Sequence, residues 1–242
     1  MTIDGAYRGE RLPIYVIEPE GVTPPYQTLV WMGGLNILMS RDTDAGIRFM
    51  TPFLDFLRKS GRMIVMPVYG GTLGRNDGSG LRRLNSGPIA RREMFAEWSK
   101  DLGRTVDYLE TRDDVDMDRL GFVGLSLGAL SGQIMVHFEK RIDTLILWSG
   151  GFAAATEADA APELVRGVEE TTLPVLMLNG RHDFIFPYAT HQLPFFQRLG
   201  TPPELKRHVV WDAGHFGFPI GEFIRENLDW LDRQFGPVAR AD

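Results

Sequence analysis

The sequence predicts an α/β fold with a mainly parallel central sheet and helices on both faces. Three observations carry that prediction. Short apolar runs alternate with segments of helical periodicity along nearly the whole chain. Several of these runs, such as Thr28-Leu29-Val30-Trp31-Met32 and Thr144-Leu145-Ile146-Leu147-Trp148, are apolar throughout, as strands covered on both faces require. Glycine-rich turns follow some of the runs, at the carboxyl ends of strands where such sheets gather their function.

Each element has its own signal. Residues 11–18 alternate like an outer strand, and residues 28–32 form a strand ending at Gly33-Gly34. Residues 47–60 have helical spacing and stop at Gly61. Residues 63–68 form a buried strand whose end Pro67 makes irregular. Residues 70–90, rich in Gly, Asn, Ser and Arg, read as a loop, with Ser86-Gly87-Pro88 breaking the chain before the next helix. That helix spans 91–111, with Phe95, Trp98, Leu102, Val106 and Leu109 on one face. A strand at 119–124, a helix at 126–138 and strands at 144–148 and 174–178 follow. A helix end at 193–199, an alternating strand at 205–211 and a closing helix at 220–235 complete the chain.

The composition excludes several classes of function. The 242 residues suit one α/β domain spanning 1–242, and 43% hydrophobic with 24% charged residues is ordinary for a globular protein. Folding at this size buries roughly 70% of the unfolded surface, so the core needs no staples. The absence of cysteine excludes disulfides, thiolate catalysis and cysteine-held metal centres, and it fits a reducing cytoplasm. A net charge of −6 offers no broad basic surface for nucleic acid. No apolar run reaches the ~18–20 residues of a membrane span, and residues 1–7 lack an apolar signal core. The expected setting is cytoplasmic, with neither nucleic acid nor membrane as partner.

The chemistry concentrates in Gly124-Leu125-Ser126-Leu127-Gly128, between a strand and a helix. This is G-x-S-x-G in the context of a nucleophile elbow, where a strained turn lifts the serine hydroxyl above the sheet. The two glycines remove side chains that would collide with the neighbouring strand and helix. A serine needs a base. In sheets with such an elbow the chain order is Ser, then Asp or Glu, then His. Of the five histidines, His137 and His191 fall in helical patterns and His208 in a strand. His215, in Asp212-Ala213-Gly214-His215-Phe216, follows the last strand and is the expected base. Asp183, after strand 174–178, is the expected orienting carboxylate. Asp212 is a rival carboxylate, but it stands so close to His215 in the chain that fixing the loop is its expected role; His182 is a rival base. The oxyanion would rest on the backbone N–H of Leu127 and on that of Leu35, with Gly34 next, in the loop after strand 28–32.

Together these residues resemble the α/β-hydrolase superfamily, over about residues 7–235. The carriers are Gly33-Gly34, the elbow, Asp183 in Gly180-Arg181-His182-Asp183, and Gly214-His215. Pro24-Pro25-Tyr26-Gln27-Thr28, Lys59-Ser60-Gly61-Arg62, Pro67-Val68-Tyr69-Gly70-Gly71-Thr72 and Trp98-Ser99-Lys100-Asp101-Leu102-Gly103-Arg104 are similar to bacterial dienelactone-hydrolase-like modules often fused behind serine/threonine kinase domains. That resemblance implies a compact serine hydrolase, either stand-alone or one domain of a longer protein. Two features depart from it. Dienelactone hydrolases use a cysteine nucleophile, and the loop here is Gly33-Gly34-Leu35 rather than a Pro-Gly-Ser-like turn.

About 25 residues separate strand 144–148 from the next, acidic and alanine-rich with Glu157, Asp159, Glu163, Glu169 and Glu170. They leave room for a minimal cap or none. Phe184, Phe186, Phe216 and Phe218, with Trp148 and Phe152, are candidates for an apolar pocket or for loop packing. Arg75, Arg82, Arg83, Arg91 and Arg92 are candidates for an anion clamp or for pairing with Asp77, Glu93 and Glu97. The expected function is a serine esterase, monomer or homodimer, acting on a small-molecule ester of short to medium or aromatic acyl type, with no cofactor or metal. The alternatives are peptidase or amidase chemistry and perhydrolase chemistry on the same residues, or a non-catalytic kinase-associated binding module.

Overall fold

A computed structural model describes residues 1–7, 9–152 and 162–238. Eight strands form one sheet: β1 (Thr2–Asp4), β2 (Arg11–Ile17), β3 (Tyr26–Met32), β4 (Met63–Pro67), β5 (Val115–Leu125), β6 (Thr144–Trp148), β7 (Val175–Gly180) and β8 (Lys206–Trp211). Their spatial order is β1-β2-β4-β3-β5-β6-β7-β8. Strands β1 and β2 run antiparallel, and every pair from β4 to β8 is parallel. The carboxyl ends of β3, β5, β6, β7 and β8 therefore lie along one edge.

The helices are α1 (Asn36–Met39), α2 (Thr43–Lys59), α3 (Ser79–Asn85), α4 (Pro88–Leu109), α5 (Leu127–Phe138), α6 (Pro162–Glu169), α7 (Leu193–Arg198) and α8 (Ile220–Phe235). Alternation along β5 shows how the sheet feeds two helical layers. Phe122 faces α5, where an added Cβ on Gly132 would press 2.4 Å from its ring. Gly121 points the other way, toward Phe235 of α8. On that second face Trp148 of β6 meets Phe56 of α2 and Phe223 of α8, and its indole N–H donates to Asn227 at 2.9 Å. Burial of such strands on both faces is why β3, β4, β6, β7 and the second half of β5 read as apolar runs. Among the described residues no helix is long and apolar enough to cross a membrane.

The structure refines the reading at several places. Strand β1 is too short and polar to carry a period-2 signal; it exists because Thr2–Asp4 pairs with residues 11–13. Strand β5 starts at Val115 rather than at 119, because Val115 pairs with Tyr26 of β3 ahead of a register shift that resumes at Thr28 and Leu120. Residues 70–90 are not all loop: α3 occupies Ser79–Asn85, and α4 begins at Pro88 rather than 91. Pro88 is well placed in a first helical turn, which needs no N–H donor there, and Gly87 at φ 102° makes the preceding turn. Between β6 and β7 the structure describes α6, whereas the stretch containing Glu157 and Asp159 lies outside the described residues.

Candidate active site

Ser126 sits at the β5–α5 junction with φ 53° and ψ −106°, a left-handed conformation that a non-glycine residue adopts only under constraint. The constraint is tight packing of backbone. A Cβ on Gly124 would lie 2.3 Å from the Gly128 carbonyl oxygen, and one on Gly128 would lie 2.2 Å from that of Met32. Ser126 N–H donates to the Trp148 carbonyl at 2.8 Å, and Gly128 N–H to that of Gly33 at 3.1 Å. The elbow is thus clamped between β3 and β6, with its hydroxyl directed off the sheet edge.

His215 reaches the serine. Its Nε2 lies 2.9 Å from Ser126 Oγ, and its Nδ1 lies 2.8 Å from Asp183 Oδ2. Both side chains are buried. Asp183 Oδ1 accepts the backbone N–H groups of Ile185 at 2.8 Å and Phe186 at 3.0 Å. A buried carboxylate requires such donors. Phe186 also stacks on the imidazole at 6.0 Å between centroids, and Phe216 meets it edge-on at 4.6 Å. Gly180 is required where these loops cross, since a Cβ there would lie 2.0 Å from the Gly214 carbonyl oxygen.

The other histidines are engaged elsewhere. His182 pairs with Asp212 at 2.5 Å, both exposed, so the rival base and the rival carboxylate meet each other rather than Ser126. His137 faces Glu170, His191 faces Thr190, and His208 faces Asn179.

The loop after β3 runs beside Ser126: a Cβ on Gly34 would lie 3.4 Å from that of Ser126. Among the described residues the N–H groups of Gly34, Leu35 and Leu127 donate to no protein atom. Leu127 is the first residue of α5, where unpaired N–H groups favour negative charge.

Leu35, Phe184 and Phe216 flank this constellation in sequence and are 41%, 82% and 63% exposed. The remaining aromatic candidates pack inward. Phe152 meets Phe195, Phe218 meets Trp211 and Phe223, and Trp148 lies in the α2–α8 layer. The arginine candidates divide by partner. Arg75 is largely buried and bonds Asp101, Glu10 and the Val68 carbonyl, and Arg83 bonds Glu97. Arg75 is therefore held by two carboxylates and a carbonyl, and burial pushes the Asp101 carboxyl upward despite this partner. Sequence reasoning missed the N–H donors of Ile185 and Phe186, because backbone groups leave no residue-type signal.

No family model matches the chain, and no curated protein matches it. Solved structures do. A PEG-bound cold-adapted esterase from an Arctic intertidal metagenomic library superposes with a TM-score of 0.71 at 23% identity, over 97% of this chain and 92% of that one. Est1E from Butyrivibrio proteoclasticus, solved with ferulic acid, gives 0.69 at 17% identity, over 97% and 98%. An acetyl xylan esterase from Paenibacillus sp. R4 gives 0.65 at 16% identity, over 97% and 83%. At these identities the likeness concerns the fold, and the chain has the α/β-hydrolase fold.

Proposed function

We propose that this chain is a serine esterase acting on carboxylic esters of short to medium or aromatic acyl type. One observation carries the proposal: the continuous hydrogen-bonded line from Asp183 through His215 to Ser126, ending on a serine in a strained elbow. In this reading Ser126 Oγ attacks the ester carbonyl while His215 Nε2 takes its proton. Asp183 holds the Nδ1–H tautomer and stabilises the imidazolium. The oxyanion forms against the N–H groups of Leu127 and of Leu35 or Gly34, whose lack of protein acceptors supports that role. His215 returns its proton to the leaving alcohol. It then activates the water that releases the acid and restores Ser126.

The exposed Leu35, Phe184 and Phe216 supply an apolar rim, which supports the aromatic part of the range. Ester chemistry is favoured further because the three solved structures described above are named as esterases. The narrower likeness to dienelactone-hydrolase-like modules, a bacterial origin, a cytoplasmic setting and one α/β domain over 1–242, stand-alone or part of a longer protein, belong to the same proposal. The test is hydrolysis of p-nitrophenyl esters from two to twelve acyl carbons, with Ser126→Ala in parallel. Turnover that depends on Ser126 is expected. Turnover that survives in a folded Ser126→Ala would overturn the proposal.

A further inference from the structure

We propose that Ser149 is the positioning residue that holds the His215 backbone, and through it the imidazole, in register with Ser126. The inference rests on the reading of His215 as the base. Ser149 follows β6 and is fully buried. It has φ 52°, so a non-glycine residue stands here in the left-handed region beside Gly150 and Gly151. Such a conformation is strained and persists only where the surroundings impose it. Its N–H donates to the Leu178 carbonyl at 2.8 Å, anchoring it to β7. Its hydroxyl donates to the His215 carbonyl at 2.6 Å.

That last bond matters because of the loop it holds. His215 lies between Gly214 and Gly217, the latter at φ 88°, so the backbone on both sides is permissive. Among the described residues the backbone of 214–218 makes one hydrogen bond, the one accepted from Ser149. The preceding turn is fixed separately by His182 N–H on the Ala213 carbonyl at 2.9 Å. Past that point, among the described residues, the Ser149 hydroxyl alone ties the main chain, while the ring must satisfy Asp183 on one side and Ser126 on the other. A glycine would adopt the same backbone more readily. The serine keeps a strained conformation and contributes the hydroxyl that the loop uses.

Two substitutions separate the hydroxyl from the backbone conformation. Ser149→Ala removes the hydroxyl and keeps the strain, whereas Ser149→Gly removes both. The assay is kcat and KM on p-nitrophenyl acetate, together with unfolding temperature and the solvent exchange of the His215 Nδ1 proton by NMR. Both variants are expected to lose about 10- to 100-fold in kcat with KM within about twofold, the scale of one hydrogen bond and a small misplacement of the base. The Nδ1 proton should exchange faster in both. Wild-type kcat in folded Ser149→Gly overturns the proposal, because the conformation and not the hydroxyl would then be what matters. Equal losses in kcat and 1/KM in both variants also overturn it, since they indicate a disturbed pocket. Failure of the esterase reading is recognised separately, as a wild type that neither turns over esters nor labels with a fluorophosphonate. Nδ1 exchange then decides alone, and an unchanged rate in the variants rejects the role of Ser149.

Discussion

Acidification should destabilise this protein through His208. The ring lies on β8 between Tyr188 and Phe196, at 6.2 and 5.1 Å between centroids. Burial there lowers its pKa from 6.5 to about 4. Asn179 Nδ2 donates to the Gly150 carbonyl at 2.9 Å, so the Asn179 amide oxygen faces the ring. The neutral imidazole must then donate from Nε2, across 3.0 Å. The folded state binds a proton more weakly than the unfolded chain, whose histidine titrates near 6.5. Stability is therefore fully present above about pH 6.5 and is lost as pH falls toward about 4. Linkage puts the loss at about 1.4 kcal/mol at pH 5.5 and about 2.6 kcal/mol at pH 4.5. The perturbation that isolates it is His208→Gln, which keeps a donor for Asn179 and cannot titrate. The assay is urea unfolding of both proteins at pH 7.5, 5.5 and 4.5. Coincident fluorescence and circular-dichroism transitions check that the two-state relation holds. Relative to pH 7.5, the wild type should lose those amounts beyond what the variant loses. A difference that stays flat within about 0.5 kcal/mol would refute the burial of a neutral His208.

Other predictions follow from the site and its frame. Ser126→Ala should fold normally and lose on the order of 10⁴–10⁶ in turnover, His215→Ala should lose comparably, and Asp183→Asn somewhat less; steady-state kinetics on a p-nitrophenyl ester checks all three. Gly128→Ala should fold poorly or not at all, since its methyl would overlap the Met32 carbonyl oxygen; soluble yield and circular dichroism decide, and a wild-type spectrum contradicts the packing described. Arg75→Met should destabilise by about 3–5 kcal/mol by stranding the buried Asp101 carboxylate, with KM within about twofold across anionic and neutral esters. A KM that rises only for anionic esters would instead assign Arg75 to substrate. Replacing Phe184 and Phe216 together by Ala should lower kcat/KM several-fold for aromatic esters and little for acetate, as removal of an apolar rim requires.

Much of this was legible before any fold was known, for reasons specific to each residue. G-x-S-x-G reveals itself because two backbone approaches of under 2.5 Å admit no side chain, so the steric demand is written directly as glycine. His215 and Asp183 are marked by position: each follows a strand, and strand ends in a parallel sheet share one edge, whereas Asp212 stands too near His215 and His182 too near Asp183 in the chain. Strands β3, β4, β6, β7 and the second half of β5 were visible because burial on both faces forces apolar runs. Strand β1 and the start of β5 were not, because their pairing depends on a neighbour and not on their own residues. Helix α3 was hidden by a composition of Gly, Ser, Asn and Arg that suits a loop equally well.

The residue types and their order determined the sheet, the elbow and the three side chains that meet at its edge, since steric and burial demands are imposed locally and recorded as glycine, apolar runs and polar residues at strand ends. Tertiary structure alone decided what holds them in place. The pairing of Arg75 with Asp101 and Glu10 and the Ser149 bond to the His215 carbonyl join segments distant in the chain, and the two N–H groups on Asp183 depend on how its loop turns. Such bonds depend on distance and direction in three dimensions, and a serine, an arginine or a backbone amide looks the same in a sequence whether or not a partner stands within reach.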